Sequence, residues 1–325
     1  MILFGFFEKG YMNGLIIGVA AFVAVAAAAT AIECVYFYRR TMKRNKAKKE
    51  RTIKMSGTDW SRHIPFIEER KEYMLAQPHD EVFIKSKDGL KLHATYFPNG
   101  DEKKIVICFH GYTSEGMKDY IALSHYYLKN GYSMLLVDER AHGQSEGEYI
   151  GFGCLDRFDA LGWIDFIIDR CGEDVQILLH GTSMGGATVL MTSALKLPKQ
   201  VKGIISDCAF TSPKYVFTHV LHSMYHLPAF PVIQVADFVN KKRAGYGMDE
   251  CNSAKEVRKA EVPILLIHGD SDNFVPCSMC DEIYENCVSP KKKLIIKGAS
   301  HAECYYVDTA AYEKALNDFI GEFVK

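Results

Sequence analysis

Apolar residues fall along the chain in two patterns. From Gly10 to Ile32 there are 23 consecutive residues without a charge, and beyond residue 80 short apolar runs alternate with stretches of helical periodicity. The first pattern predicts one helix. At 1.5 Å per residue it is about 34 Å long, enough to cross a hydrocarbon core of about 30 Å. Aromatic residues flank it, Phe4, Phe6, Phe7 and Tyr11 before and Tyr36, Phe37 and Tyr38 after, and such rings favour the headgroup layer. A cleavable secretory signal fits less well, because Met1 to Gly10 carries only Glu8 and Lys9 and so has no cationic leader. Residues 10–38 are therefore expected to form a membrane anchor.

The second pattern predicts a mostly parallel sheet. Glu81 to Ser86 and Leu90 to Phe97 flank Asp88-Gly89, a hairpin turn, so this part opens with two antiparallel strands. Lys104 to Phe109, Tyr132 to Val137, Val175 to His180, Val201 to Ser206, Pro263 to His268 and Lys292 to Ile296 follow, several of them apolar throughout, as suits strands buried on both faces. Helical stretches lie between them near 117–130, 154–170, 184–196, 277–287 and 306–324. Residues 76–325 are thus expected to form one α/β domain, with a small helical cap at about 210–259 between the sixth and seventh of these strands, counted with the opening hairpin. The cap's apolar residues (Tyr215, Phe217, Leu221, Met224, Tyr225, Phe230, Val232) either pack it onto the body or line an acyl-chain groove. Ahead of the domain, Asp59 to Gln77 reads as a short amphipathic helix ended by Pro78, lying against the domain or a membrane surface.

Charge sharpens the division. The formal charge is -1, yet residues 39–54 hold nine cations and one anion, a net of +8, leaving -9 for the rest. Residues 39–75 form a basic stem and the amphipathic helix. A band of cations directly behind an apolar span predicts a cytoplasmic location for that side and attraction to anionic lipid, not nucleic acid. The expected arrangement is single-pass, with the catalytic bulk in the cytoplasm. The ten cysteines have no framework spacing, which fits buried, reduced thiols, and the lone Cys277-Ser-Met-Cys280 has no second pair to complete a zinc site.

The chemistry gathers at the carboxyl ends of the predicted strands. Gly181-Thr-Ser183-Met-Gly185 stands between an apolar strand and a helix, the context in which G-x-S-x-G lifts a serine hydroxyl over a helix N-terminus. Such a nucleophile needs a base and a group to orient it. His110, His180 and His268 each precede a glycine at a strand end and read as packing beside the site. His301, in the small-residue loop Gly298-Ala-Ser-His301, reads as the base. Asp270 and Asp272 follow the seventh strand; Asp270 suits a turn, Asp272 the acid, and Asp207 is a third candidate. The backbone N–H groups of Met184 and Tyr112 are the expected oxyanion donors. No metal or cofactor is called for: there is no P-loop, and Gly151-Phe-Gly153 is not a complete dinucleotide fingerprint.

From about residue 76 onward the chain resembles the α/β-hydrolase superfamily, particularly the membrane-anchored or prolyl-oligopeptidase-like serine hydrolases grouped as serine aminopeptidase-like. The motifs are Lys87-Asp88-Gly89-Leu90-Lys91-Leu92, His110-Gly111-Tyr112, Asp138-Glu-Arg140-Ala-His142-Gly143-Gln-Ser145, the turn at Ser183, His268-Gly269-Asp270-Ser271-Asp272 through Val275-Pro276, and Gly298-Ala-Ser-His301. Ala141 departs from the glycine usual at that place. The resemblance implies Ser183 as nucleophile, His301 as base and Asp272 as its partner in a serine hydrolase, and anchoring beside a bilayer favours a small-molecule, lipid-like ester or acyl substrate. A serine peptidase, or a membrane-tethered binding protein on a retired hydrolase fold, are the alternatives.

Overall fold

The computed structural model describes residues 2–44 and 58–324, with side chains from residue 15. Of the features expected from sequence, the side chains of Phe4, Phe6, Phe7 and Tyr11, and the charges Lys46, Lys48, Lys49, Glu50, Arg51 and Lys54, lie outside the described residues.

One sheet organises the chain: β1 (Asp80–Lys85), β2 (Lys91–Phe97), β3 (Lys104–Phe109), β4 (Ser133–Asp138), β5 (Gln176–Thr182), β6 (Val201–Asp207), β7 (Ile264–Gly269) and β8 (Lys291–Ile296), in the spatial order 1-2-4-3-5-6-7-8. Strand β2 runs antiparallel to both of its neighbours, and every pairing from β4 to β8 is parallel. The strands with continuous apolar runs, β4 and β7, are buried along their whole length, while the edge strands β1 and β8 are half-exposed. Lys291, Lys292 and Lys293 lie on the β8 edge, where lysines discourage pairing with another chain.

The longer helices are α1 (Ile2–Met42), α2 (Ile64–Leu75), α3 (Ile121–Lys129), α4 (Asp156–Cys171), α5 (Met184–Thr192), α6 (Pro213–Tyr225), α7 (Val232–Arg243), α8 (Cys277–Asn286) and α9 (Thr309–Phe323). α4, α5 and α8 bury their apolar faces on one side of the sheet around Trp163, Ile164 and Ile283. α3 and α9 cover the other side around Tyr127, Leu316 and Phe319, and Met74 of α2 joins them. The stretch expected as a helix over 306–324 is broken, because Asp308 starts a new helix by accepting from the Ala311 N–H at 2.9 Å. The 117–130 stretch likewise divides into a short turn, Gly116–Asp119, and α3.

Between β6 and β7 the chain forms α6 and α7. A third apolar cluster joins them to the site and to the lower end of α1: Cys34, Tyr38 and Met42 pack with Met184, Phe152, Phe217, Ile233 and Ala236. α1 is long and apolar enough to cross a membrane over Leu15–Met42. Its last turns, however, are docked on protein. The Ile150 N–H donates to the Met42 carbonyl at 2.9 Å, the Arg44 N–H to Glu148 at 2.8 Å, and the Arg44 guanidinium to the carbonyls of Gly143 (2.7 Å) and Ser145.

Candidate active site

Ser183 sits on the turn between β5 and α5 with φ 56° and ψ -110°, a conformation side-chain-bearing residues seldom adopt. The flanking glycines make the turn possible. A Cβ at 181 would overlap the Gly185 backbone, and one at 185 would overlap the Phe109 carbonyl at the end of β3. The turn is pinned by its own backbone: the Ser183 N–H donates to Asp207 at 2.8 Å and the Gly185 N–H to His110 at 3.0 Å. Met184, the first residue of α5, has an amide that the helix itself cannot pair.

The structure brings Ser183, His301 and Asp272 together. The Ser183 hydroxyl donates to His301 Nε2 at 2.8 Å, and His301 Nδ1 faces Asp272 Oδ2 at 2.7 Å. A carboxylate only accepts, so Nδ1 carries the ring proton and Nε2 is left as the acceptor for the serine. Asp272 Oδ1 in turn accepts from the N–H groups of Phe274 (2.9 Å) and Val275 (2.8 Å). Burial alone would push this carboxyl up, but its electrostatic attraction to the His301 ring and the hydrogen bonds from His268 and His301 outweigh it and hold the group well below the usual carboxylate range. Phe274 packs against the imidazole, with ring centroids 4.9 Å apart.

The competing carboxylates lie elsewhere. Asp270 is exposed and braces its own loop, accepting from the Gly298 N–H at 2.7 Å and the Ser271 hydroxyl at 3.0 Å. Asp207 is buried; burial raises its carboxyl to about 6, and it accepts from the Tyr312 hydroxyl at 3.0 Å. A cavity of about 200 Å³ opens beside it, lined among others by Trp60, Ile67, Tyr120, Thr182 and Ala302.

Tyr112 lies on the loop after β3, which comes against Ser183: a Cβ on Gly111 would be 3.4 Å from that of Ser183. Two histidines brace this loop. His142 Nε2 accepts from the Thr113 N–H at 3.1 Å and His110 Nε2 from the Glu139 N–H at 3.0 Å, while Asp119 Oδ2 accepts from the Gly111 N–H at 2.6 Å. His180 is buried between Tyr127 and Tyr312 and burial lowers it to about 3, so it is neutral. Ala141, the departure from the glycine pattern, sits at φ 62°, which is where a glycine is favoured.

Two supports of the site were not found from sequence. The Tyr112 hydroxyl donates to the Thr41 carbonyl at 3.0 Å in the last turn of α1. On the other flank the Thr58 hydroxyl donates to the His301 carbonyl at 2.8 Å, and Arg62 and His63 (2.7 Å) bind the buried Glu303, whose Oε2 accepts from the Ser300 N–H at 2.9 Å. These partners are some 240 residues apart in the chain, and nothing in either stretch alone marks the contact.

Residues 100–244 match the family described as serine aminopeptidase, S33. Among curated proteins, the chain is 29% identical over 223 residues to an uncharacterised protein of Bacillus subtilis named YqkD, covering 69% of this chain and 72% of that one. It is 23% identical over 253 residues to an uncharacterised membrane protein of Saccharomyces cerevisiae, covering 75% and 80%. Among solved structures, an esterase from Pyrococcus furiosus superposes with a TM-score of 0.63 at 25% identity, over 78% of this chain and 95% of that one.

Proposed function

We propose that this chain, an α/β hydrolase by fold, cleaves carboxylic esters through an acyl-enzyme on Ser183. The observation that carries the proposal is the continuous hydrogen-bonded line from Ser183 through His301 to Asp272 on a strand-to-helix turn. As the hydroxyl attacks the carbonyl, His301 Nε2 takes its proton, and Asp272 holds the ring in the tautomer that makes this possible. The amides of Met184 and Tyr112 bind the oxygen that becomes negative. His301 then passes the proton to the departing alcohol, and a water activated by the same nitrogen releases the acid. The likeness to an esterase of the same fold supports an ester over an amide.

The description of the matching family favours a second reading, a serine peptidase. A panel of p-nitrophenyl esters of graded chain length beside aminoacyl and prolyl amides separates the two: faster amide turnover reverses the ranking. A fluorophosphonate probe tests both. Labelling abolished by Ser183→Ala is expected, and folded protein that fails to label is a retired hydrolase that binds without cleaving.

α1 is proposed to anchor the chain in a membrane, a reading supported by its uniform apolar exposure over 15–29 and by the yeast relative's description. The cations behind it favour a cytoplasmic site and contact with anionic lipid. Protease digestion of the C-terminus from the extracytoplasmic side of sealed vesicles would contradict that orientation.

A further inference from the structure

The cap residues that sequence left between packing and a groove divide differently. Phe217, Leu221 and Val232 are buried, whereas Tyr225 is 55% exposed, Phe230 72% and Phe238 62%. With Tyr215, 52% exposed near the start of α6, four cap rings are more than half exposed, and the three at 225, 230 and 238 mark a surface that meets something other than water.

The hydrogen bonds fix where that surface lies. Ile150 donates its N–H to the carbonyl of Met42, the last residue of α1, and accepts at its own carbonyl from the hydroxyl of Tyr246, just beyond the end of α7. The two helices pack together and their C-terminal ends meet at Ile150, so both run toward that end. Twelve residues of α7 span about 18 Å, which reaches back along α1 to about Thr30. Burial on α1 agrees: Cys34, Tyr38 and Met42 are buried, Thr30 is half-buried, and every residue from 15 to 29 is exposed. Phe230, just before α7, is therefore level with the point where α1 leaves the protein. At the other end of α7, the exposed Lys241, Lys242 and Arg243 are level with Arg39 and Arg40.

We propose that the outer side of α7 and the turn before it insert into the headgroup layer of the bilayer that α1 crosses, making the cap a lipid-binding surface. The inference rests on the anchor reading above. The bilayer is the occupant because the exposed rings continue the apolar surface of α1 at the depth where aromatic residues partition, and the cations follow at the depth of lipid phosphates. The phenol of Tyr112, bonded to the end of α1, places the Ser183 site directly beneath this layer.

The test uses the full chain in vesicles of phosphatidylcholine and phosphatidylglycerol, with acyl chains brominated both near the carbonyl and near the methyl end, or unbrominated. Phe230→Trp and, in a second variant, Phe238→Trp report the cap, and Val23→Trp reports α1; the emission of the parent's own tryptophans is subtracted. Brominated lipid is expected to reduce the added emission about twofold at 23 and at 230 or 238. Quenching at 23 but at neither cap position overturns the proposal and leaves the anchor standing, since the surface then faces water or a second copy of the chain. Quenching at none of the three overturns the anchor reading and the proposal with it.

Discussion

Replacing Asp272 by asparagine tests the site at its most constrained atoms. Asp272 Oδ1 accepts from two backbone N–H groups at 2.9 and 2.8 Å, while Oδ2 faces His301 Nδ1 at 2.7 Å. An amide has a single acceptor oxygen. If that oxygen stays on the two backbone donors, the NH2 group turns toward His301 and opposes the proton on Nδ1. The ring relieves the clash by carrying its proton on Nε2, the nitrogen that must accept from Ser183. If the amide flips instead, two buried N–H groups lose their acceptor at about 1–3 kcal/mol each, so the first arrangement wins. In a serine protease the same wrong tautomer lowers kcat about 10⁴-fold, or about 5.4 kcal/mol at 1.36 kcal/mol per decade. For Asp272→Asn a loss of about 10³ to 10⁴ in kcat on p-nitrophenyl butyrate is expected, with KM little changed. Asp270→Asn, which touches only its own exposed loop, is expected to lose less than about tenfold. A loss below about tenfold at Asp272, in protein whose near-ultraviolet circular dichroism matches the parent, refutes the mechanism. So does a larger loss at Asp270.

Three further outcomes follow from the same contacts. Burial raises Asp207 to about 6, so the folded state binds a proton that the unfolded chain releases near pH 4; stability falls as pH rises from about 4 to about 6 and stays lower above. Asp207→Asn keeps an acceptor for Tyr312 and should remove this loss, gaining up to about 3 kcal/mol at pH 7.5 relative to pH 4, read from thermal unfolding of the two proteins in detergent. Asp272 acts with the opposite sign: its lowered carboxyl stabilises the fold above about pH 4 and that contribution is lost as pH falls further, so Asp272→Asn should flatten the acid limb of the same melting curves. Thr58→Val removes one buried hydrogen bond to His301, worth about 1 kcal/mol, and should lower Tm by about 2–4 °C while reducing kcat more than KM; an unchanged kcat would show that Thr58 does not position His301.

The layers and the line of site residues were legible because both depend on local pattern. A strand buried on two faces must be apolar throughout, and β4 and β7 announce themselves that way. The tight turn that carries Ser183 needs glycine at 181 and 185, since any Cβ there meets backbone. Loop chemistry favoured Asp272 over Asp270, and Asp272 is the carboxylate that faces His301. The exposed cap rings illustrate the opposite case. Phe217 and Phe230 are the same residue type in the same segment, and only the packing of α6 and α7 against α1 decides that one is buried and the other is not.

The N-terminal segment is where pattern alone fails most, and for a physical reason. A helix apolar on every side, suited to lipid, carries no amphipathic stripe to say which face its lower end turns to protein. Yet Cys34, Tyr38 and Met42 recur at four-residue spacing on the buried side of α1, and the carbonyls exposed by the ending helix are taken by Ile150 and by the Tyr112 hydroxyl. Beyond residue 57 the chain returns to the other flank, where Thr58, Arg62 and His63 hold the loop that carries His301. The loops that carry Tyr112 and His301 are thus each tied to the N-terminal part of the chain. A segment that the charge pattern describes as anchor and stem is, in its contacts, also part of the frame that positions the site.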